Sequence, residues 1–277
     1  PMLIPIDNPA DPRLSDYNDL TDAQLRAASA RGELTWFIAE GEGVVRHLLA
    51  SRFPTRSLLI TPGHVQKLGD AISLLPESTP IYIVEKSLME AITGFPFHRG
   101  VLASGGRIPD PPLHEILHNA ACLVIAEHLS NVENIGAIFR NVACMVGQTA
   151  AVLLTPDCCH PLYRKPLRVS MGHALRIPFA TLGAWPGDLE AIKAHGFTTI
   201  ALTPTCDAAD IRRGALAGVS KPAFLVGAEG PGLSEVALAG ADRRARIPMA
   251  DGADSLNVAT ALAVALSHME ERGGRAQ

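Results

Sequence analysis

The chain has 277 residues, of which 47% are hydrophobic and 19% charged, which suits a globular protein with a full core in one large or two ordinary domains. Its formal net charge of −4 excludes a uniformly basic nucleic-acid-binding protein, so any RNA binding must use local basic patches. No apolar stretch approaches the roughly 20 residues that span a bilayer, and no membrane partner is expected. The five cysteines are odd in number and lack CxxC spacing, and no signal-peptide pattern is present, so we expect a reduced, cytoplasmic setting.

The N-terminal part of the chain divides into a short extension and a small α/β domain. Residues 1–30 are polar and punctuated by prolines, and they are predicted to hold one short helix capped by Thr21 or Asp22. In residues 31–105, apolar runs alternate with amphipathic stretches, a pattern typical of helices packed on a sheet. Strands are predicted at 34–39, 57–60, 81–84 and 101–103, and helices at 43–50, 63–74 and 87–93.

A second domain is predicted after a linker at 106–119, because the segment 105–112 combines two glycines with three prolines. In residues 120–277, fully apolar strands alternate with helices, which predicts a parallel sheet covered on both faces. Strands are expected at 121–126, 149–154, 198–202, 223–226 and around Ile247. Helices are expected at 136–145, 188–194, 233–239 and 256–268, and residues 156–170 are expected to be irregular and basic.

Near the C-terminus, a strand-like end runs through Pro248 into a polar loop. The loop ends at Ser255, which is predicted to be the N-cap of an apolar helix. This arrangement places free backbone N–H groups beside a loop that contains glycine, which suits a ligand held by the main chain.

The segment 227–232, Gly-Ala-Glu-Gly-Pro-Gly, follows an apolar strand and precedes a helix. Its three glycines permit close approach of a ligand to the backbone. It lacks both the GxGxxG and the GK[ST] patterns, so dinucleotide and P-loop sites are poor matches. Glu229 could bind neighbouring loop N–H groups or face a ligand, and a plain strand-to-helix turn is the alternative.

Asn134 and Arg140 lie at and after the start of the helix predicted at 136–145. Asn134 is expected in the loop or at the cap, where its side chain satisfies N–H groups of the first turn. Arg140 is expected on the first turns, near the carboxyl end of strand 121–126, where ligands of open α/β sheets bind. A surface arginine paired with a carboxylate is the alternative for Arg140.

Together, segments 131–141, 224–234 and 246–259 resemble the three signature motifs of the SpoU/TrmH family, RNA ribose 2′-O-methyltransferases of the SPOUT superfamily. The resemblance covers roughly residues 120–272. It implies an α/β domain with a C-terminal trefoil knot, S-adenosylmethionine (SAM) as methyl donor without a metal, rRNA or tRNA as acceptor, and a homodimer. It implies the catalytic residues Arg140, Asn134, Ser255 and Asn257. It implies cofactor contacts from Gly227, Glu229, Gly230, Ile247, Met249, Leu256 and Asn257.

This chain departs from the family pattern at two places in the last motif. Ala259 stands where the family usually has serine, and Gly252 lies one position later than the usual loop glycine. Neither departure removes Asn134, Arg140, Glu229 or Asn257, so activity is expected to survive.

Two further parts of the chain resemble the family less closely: the segment 168–172, Arg-Val-Ser-Met-Gly, and the borders of the first domain. Residues 164–176 form the most basic stretch, and Arg164, Lys165 and Arg168 are predicted to bind RNA phosphates; a solvated charged loop is the alternative. Residues 37–41 and 98–103 resemble the borders of a ribosomal-protein-like, substrate-binding α/β domain that precedes many catalytic domains of the family.

Two other functions and a metal site are the alternatives to RNA methylation. A non-catalytic RNA-binding protein could keep the fold and lose the chemistry, and a nucleotide-dependent oxidoreductase would lack its usual glycine motif here. Cys158, Cys159 and His160 are adjacent, but neighbouring cysteines do not easily ligate one zinc ion, and no metal is expected.

Overall fold

The apolar runs of the sequence become the strands of two separate sheets. The computed structural model describes residues 1–18, 35–94 and 99–269. The chain forms two compact units: the first contains Pro1–Pro109 and His160–Arg176, and the second contains Asp110–Cys159 and the chain from Ile177 onward. The helix predicted near Thr21 lies outside the described residues.

The elements of the described residues are numbered in chain order. The strands are β1 Met2–Pro5, β2 Trp36–Glu40, β3 Thr55–Ile60, β4 Pro80–Ile83, β5 Val101–Gly106, β6 Cys122–Ala126, β7 Ala150–Leu154, β8 Phe179–Thr181, β9 Thr198–Leu202, β10 Ala209–Asp210, β11 Pro222–Val226 and β12 Arg243–Arg246. The α-helices are α1 Glu42–Leu49, α2 Pro62–Lys67, α3 Gly69–Ile72, α4 Lys86–Thr93, α5 Leu113–Asn119, α6 Val132–Met145, α7 Arg164–Val169, α8 Asp188–Ala194, α9 Glu235–Gly240 and α10 Val258–Ser267. None of these helices is long and apolar enough to cross a bilayer.

The first unit contains a five-stranded sheet in the order β1-β4-β3-β5-β2. The strands β1, β4 and β3 are parallel neighbours, whereas β5 runs antiparallel to both β3 and β2. The single helix predicted at 63–74 is wrong, since α2 ends at Lys67 and α3 begins at Gly69. Leu68 between them has φ −102° and ψ 6°, outside the α-helical range, and the glycine that follows is a weak helix former.

The described part of the predicted extension belongs to this first sheet and its core. β1 pairs with β4 at the sheet edge, and a short 3-10 helix at Pro12–Tyr17 fully buries Leu14 and Tyr17. The hydroxyls of Tyr17 and Ser57 share a hydrogen bond of 2.8 Å, which satisfies both groups inside the core. Residues 1–17 therefore complete the unit rather than standing apart from it.

The segment His160–Arg176 packs in the first unit and contains helix α7, so the prediction of an irregular segment over 156–170 is wrong for residues 164–169. Pro166 lies in the first turn of α7, where its missing N–H would have had no helical partner, so the proline is tolerated. Leu167 is fully buried, and α7 packs against β2. Burial of this apolar side stabilises a helix that local sequence pattern alone does not indicate.

We expect His160 to make the stability of the protein depend on pH. Burial and the charge of Arg107 lower its pKa to about 3, and its Nδ1 accepts a hydrogen bond from the N–H of Leu162 at 3.1 Å. The unfolded chain binds the proton near pH 6.5, so stability falls as pH drops below that value, by up to about 1.4 kcal/mol per pH unit. We expect His160→Gln to flatten this loss in urea unfolding at pH 7 and pH 5. The exposed control His118→Gln should keep the wild-type slope, and equal slopes for all three proteins would contradict the assignment.

The second unit contains a seven-stranded parallel sheet in the order β10-β12-β9-β11-β6-β7-β8. Every residue of β6, β7 and β11 is buried, and since successive side chains point to opposite faces, both faces are covered. One face packs Leu123, Leu153 and Leu225 beneath α5, α8 and α9. On the other, Phe139 of α6 meets Phe179 edge-on at 5.7 Å. The structure confirms the predicted parallel sheet.

Helix α6 begins earlier than predicted. It starts at Val132, and Asn131 caps it by accepting a hydrogen bond from the N–H of Glu133 at 2.8 Å. The prediction that Asn134 lies in the preceding loop or cap is therefore wrong. Asn134 falls within the first helical turn, where its side chain is free to bond elsewhere.

Helix α10 begins later than predicted. It starts at Val258, and the Oδ1 atom of Asn257 accepts hydrogen bonds from the N–H groups of Ala259 and Thr260 at 3.0 and 3.2 Å. The predicted N-cap Ser255 is wrong, because the asparagine amide reaches two of the orphan donors of the first turn. The strand expected around Ile247 also ends one residue before it, at Arg246.

Candidate functional site

A cavity of about 370 Å³ opens at the carboxyl ends of three neighbouring strands of the parallel sheet, β12, β9 and β11. The cavity is lined by residues at the ends of these strands and in the loops after them, within 202–204, 226–232 and 245–249. Residues within 255–261, at the start of α10, complete the lining. Ligands of open parallel sheets bind at this edge, because the loops that leave the strands there surround a crevice. The cavity has the size of a small-molecule site, roughly 300–1,000 Å³.

The cavity brings together the residues predicted for the cofactor. Its lining includes Gly227, Glu229, Gly230, Ile247, Met249, Ser255, Leu256 and Asn257. It also includes Leu202, Thr203 and Pro204, which the sequence reasoning missed. The end of the strand at 198–202 was the available signal, but only the sheet order shows that β9 lies between β11 and β12.

The loop after β11 closes on itself through its backbone. The N–H of Gly232 donates to the carbonyl of Ala228 at 2.9 Å, and Gly230 and Gly232 have φ of 88° and 73°. A Cβ at Gly227 would lie 2.2 to 2.3 Å from backbone atoms of Gly232 and Leu233, so no other residue fits there without moving the loop. The glycine pattern therefore forms a tight main-chain rim of the cavity.

Three polar side chains from distant parts of the chain meet beside this rim. Asn134 is 4% exposed and donates through Nδ2 to Oε1 of Glu229 at 2.8 Å. Asn257 donates through Nδ2 to Oδ1 of Asn134 at 2.9 Å and to Oε1 of Glu229 at 3.3 Å. Asn257 thus caps α10 with its oxygen and holds Asn134 and Glu229 with its amide nitrogen. We call these three residues the amide–carboxylate cluster.

Arg140 lies apart from the cluster within the single chain. It is exposed on α6, it does not line the cavity, and its side chain makes no hydrogen bond or ion pair with the residues that the structure describes. Six helical residues separate it from Asn134, which corresponds to about 240° of rotation and about 9 Å along the axis. Within residues 1–18, 35–94 and 99–269, no carboxylate pairs with Arg140, so the alternative of a structural ion pair is not supported there.

The remaining predicted residues take different positions. Ser255 and Leu256 are exposed at the mouth of the cavity, and Leu256 is 41% exposed although it is apolar. Arg164, Lys165 and Arg168 lie on α7 in the first unit.

The thiol of Cys158 is partly buried and is hydrogen-bonded within the protein. Burial raises the pKa of Cys158, and its Sγ donates to the carbonyl of Ala126 at 3.2 Å. Within the described part of the chain, no group of three or more histidine, cysteine, aspartate or glutamate residues is placed to hold a metal ion.

Comparison with known proteins places this site in a family. Residues 121–267, more than half of the chain, match the SpoU rRNA Methylase family. The chain belongs to this SpoU family. The family resemblance predicted from the three motifs is thereby confirmed.

Relatives within the SpoU family match most of the chain. The chain is 41% identical over 268 residues to an uncharacterized tRNA/rRNA methyltransferase of Mycobacterium tuberculosis, covering 96% of this chain and 91% of the relative. It is 29% identical over 208 residues to the 23S rRNA (guanosine-2′-O-)-methyltransferase RlmB of Acinetobacter baylyi, covering 73% and 82%.

Solved structures share the fold at lower identity. The AdoMet-bound rRNA methyltransferase from Sinorhizobium meliloti gives a TM-score of 0.77 at 21% identity, over 96% of this chain and 97% of that one. The SpoU methyltransferase AviRb from Streptomyces viridochromogenes, also in complex with AdoMet, gives 0.74 at 20% identity, over 93% and 97%.

A buried carboxylate that was not predicted from the sequence anchors the end of the loop 227–234. Glu127, directly after β6, is fully buried and accepts three hydrogen bonds. Its Oε1 accepts from Nε1 of Trp185 at 2.6 Å and from Oγ of Ser234 at 2.7 Å, and its Oε2 accepts from the N–H of Ser234 at 2.7 Å. Because Ser234 ends the loop 227–234 and caps α9, Glu127 fixes the base of the cavity rim.

We expect Glu127→Gln to lower the free energy of unfolding by about 1–3 kcal/mol, because the amide group of glutamine would oppose a backbone or hydroxyl donor in a buried place. Urea unfolding measures this. Glu190→Gln, an exposed change on α8, should stay within about 0.5 kcal/mol of the wild type. A Glu127→Gln protein as stable as this control would contradict the anchoring role.

Proposed function

We propose that the protein is a SAM-dependent RNA methyltransferase that modifies a ribose 2′-hydroxyl of structured rRNA or tRNA. The observation that carries the proposal is the cavity at the ends of β12, β9 and β11, closed by a main-chain loop and bordered by the amide–carboxylate cluster. Two sets of names support it: the relatives named tRNA/rRNA methyltransferase and guanosine-2′-O-methyltransferase, and the neighbours solved with AdoMet.

The cavity fits SAM in size and chemistry. Apolar side chains of Leu202, Val226, Ile247 and Leu256 line it and suit the adenine ring, whereas the carboxylate of Glu229 suits the positively charged methionine part. When bound, SAM supplies an electrophilic methyl group on a sulfonium. The main chain at 227–232 and 247–257 would hold it, and the cluster would keep the polar wall of the cavity rigid.

Calorimetry tests the donor site directly. SAM or its demethylated product should bind saturably with one molecule per subunit. The nicotinamide dinucleotide NAD should produce no heat, which separates the proposal from the oxidoreductase alternative. No heat with SAM at millimolar concentration would overturn the assignment of the cavity.

The acceptor side of the proposal rests on cationic side chains. We propose that Arg140 engages the ribose hydroxyl and its phosphate, with Asn134, Asn257 and Ser255 bordering the reacting groups. Arg164, Lys165 and Arg168 would bind RNA phosphates. We also propose that the first unit is a ribosomal-protein-like domain and that the second contains a trefoil knot. We expect the protein to be cytoplasmic.

Methyl transfer to RNA distinguishes this function from a non-catalytic RNA-binding protein. Single-turnover transfer of labelled methyl groups from SAM to bulk rRNA and tRNA should give 2′-O-methylated nucleotides. Mapping of these nucleotides in cells with and without the gene should identify the target. Tight RNA binding without any transfer would favour the non-catalytic alternative.

We also propose a homodimer, because one chain does not bring Arg140 to the cavity. The sequence also predicts support for a dimer from the apolar last helix, through Leu262, Val264, Ala265 and Leu266. In α10, Leu262, Ala265 and Leu266 are buried inside their own chain, and Val264 is partly buried. A dimer would let Arg140 of one copy reach the cavity of the other.

The expected result in light scattering at micromolar concentration is about twice the 29.3 kDa of one chain. Arg140→Ala should leave this mass unchanged and serves as a control for the activity measurements. A mass of a single chain would contradict the dimer.

A further inference from the structure

Three arginines converge on one buried carboxylate in the first unit. Glu40, the last residue of β2, is 5% exposed. Nε of Arg99 lies 3.6 Å from its Oε1, Nε of Arg164 lies 3.8 Å from its Oε2, and Nη1 of Arg168 lies 3.6 Å from its Oε1. We call these four residues the arginine cluster. All three distances exceed the usual hydrogen-bond range, so these contacts are charge pairs rather than hydrogen bonds.

The cluster is assembled from three separate segments of the chain. Arg164 and Arg168 are four residues apart on α7 and therefore share one helical face, which packs against β2. Arg99 comes just before β5 and lies over the backbone of Gly41, where an added Cβ would be 3.2 Å from the arginine Cδ. The glycine after Glu40 thus leaves room for the third guanidinium.

The charge in the cluster is unbalanced. One guanidinium suffices to compensate one buried carboxylate, and Arg99 and Arg168 together already exceed it, which gives a local excess of positive charge in a chain whose net charge is −4. The side chains of Arg99 and Arg168 are 51% and 40% exposed. Within residues 1–18, 35–94 and 99–269, neither of these two side chains donates a hydrogen bond, so their exposed guanidinium groups are available to a ligand.

We propose that Arg99, Arg164 and Arg168, held in place by Glu40, form a binding site for a phosphodiester group of the RNA substrate. The planar guanidinium fork matches two phosphate oxygens, and two exposed forks beside one carboxylate can hold an anion from both sides. Glu40 keeps the guanidinium groups gathered before RNA binds. This inference rests on the proposed function for the identity of the RNA, and it adds Arg99 and Glu40 to the residues predicted from the basic segment.

The test is the salt dependence of RNA binding by the full chain, measured with bulk 23S rRNA and bulk tRNA over a series of KCl concentrations. Arg99→Ala and Arg168→Ala should each weaken binding roughly tenfold. Each should also make the slope of log affinity against log salt shallower by about 0.7 to 0.9. Arg99→Lys should keep the slope and lose only part of the affinity, since the charge remains and the fork is lost.

Arg13→Ala is the matched control. Arg13 is 49% exposed, like Arg99, but it is paired one-to-one with Asp11, so its loss should change neither affinity nor slope. SAM affinity should stay at the wild-type value in every variant, and unfolding temperatures identify any variant that fails to fold. If Arg168→Ala unfolds, Arg168→Lys and Arg99→Ala carry the test.

The possible outcomes separate this inference from the proposed function. Wild-type RNA binding and slope in Arg99→Ala and Arg168→Ala would overturn the phosphate site, even if SAM binds and methyl transfer proceeds. A second result would also overturn it: inorganic phosphate saturates the cluster at constant ionic strength, but the variants bind RNA like the wild type. The cluster would then be a site for free phosphate. Failure of SAM binding in the wild type would instead count against the proposed function.

Discussion

Arg140→Ala is expected to slow methyl transfer by on the order of 100- to 1000-fold, the usual loss when an electrostatic or proton-transfer group is removed. SAM affinity should remain unchanged, because Arg140 does not line the cavity at the ends of β12, β9 and β11. Its side chain is exposed on α6 and is not engaged by other described residues, so its removal should leave the fold intact.

The chemistry of arginine limits what Arg140 can do. Arginine side chains in proteins stay protonated at neutral pH and are therefore weak general bases. Arg140 can orient the hydroxyl and its neighbouring phosphate without losing its own proton, because the planar guanidinium fork can contact both groups. Arg140→Lys should therefore also lose most of the methyl-transfer rate, since lysine keeps the charge without the fork.

Single-turnover methylation at saturating RNA and calorimetry with SAM measure these two effects separately. Arg213→Ala, a change at an arginine that is 83% exposed outside the cavity and the basic stretch, serves as a control and should keep most of the methylation rate. Near-normal turnover of Arg140→Ala at saturating RNA would show that the arginine is not catalytic.

Gly227→Ala is expected to have the second large effect, a loss of SAM affinity on the order of 100-fold, because displacements of about 1 Å in a binding loop have consequences of this size. The added Cβ would lie 2.2 to 2.3 Å from backbone atoms of Gly232 and Leu233, which cannot rotate away as a side chain could. The loop must open, and the rim of the cavity moves with it.

Gly183→Ala provides the matched control, since a Cβ at Gly183 meets nothing within 4 Å. It should bind SAM as the wild type does. Calorimetry measures both affinities, and circular dichroism shows whether Gly227→Ala keeps its fold. Wild-type SAM affinity in Gly227→Ala would mean that the loop 227–232 does not hold the cofactor.

The two variants together test whether Arg140 acts across a dimer. If Arg140 of one copy completes the cavity of the other, a mixed dimer of Arg140→Ala and Gly227→Ala contains one intact site. Equal mixing, with exchange of subunits, should then restore about a quarter of the wild-type activity. No restoration after verified exchange would place Arg140 and the cavity of the same chain in one active site.

Local sequence pattern predicted the strands and glycine turns of the second unit well. The fully apolar runs at 121–126, 149–154 and 223–226 are buried strands, because only a sheet covered on both faces buries every side chain. The glycines at 227, 230 and 232 indicated a main-chain rim, and the structure requires glycine at Gly227 by direct contact. The predicted helix starts were less accurate, because several neighbouring polar residues can cap the same helix. Asn257 caps α10 rather than Ser255, and Asn131 caps α6 rather than Asn134.

The sequence by itself determined the apolar strands, the glycine loop and the three motifs that identify the SpoU family. Only the tertiary structure joined Asn134, Glu229 and Asn257, which lie 95 and 28 residues apart along the chain, into one hydrogen-bonded cluster. It alone placed β9 between β11 and β12, anchored the loop on Glu127, and packed α7 with its arginines against Glu40 in the first unit. The physical reason is that hydrophobic period and turn chemistry act over a few residues, whereas strand order and the meeting of distant side chains depend on the packing of the whole sheet.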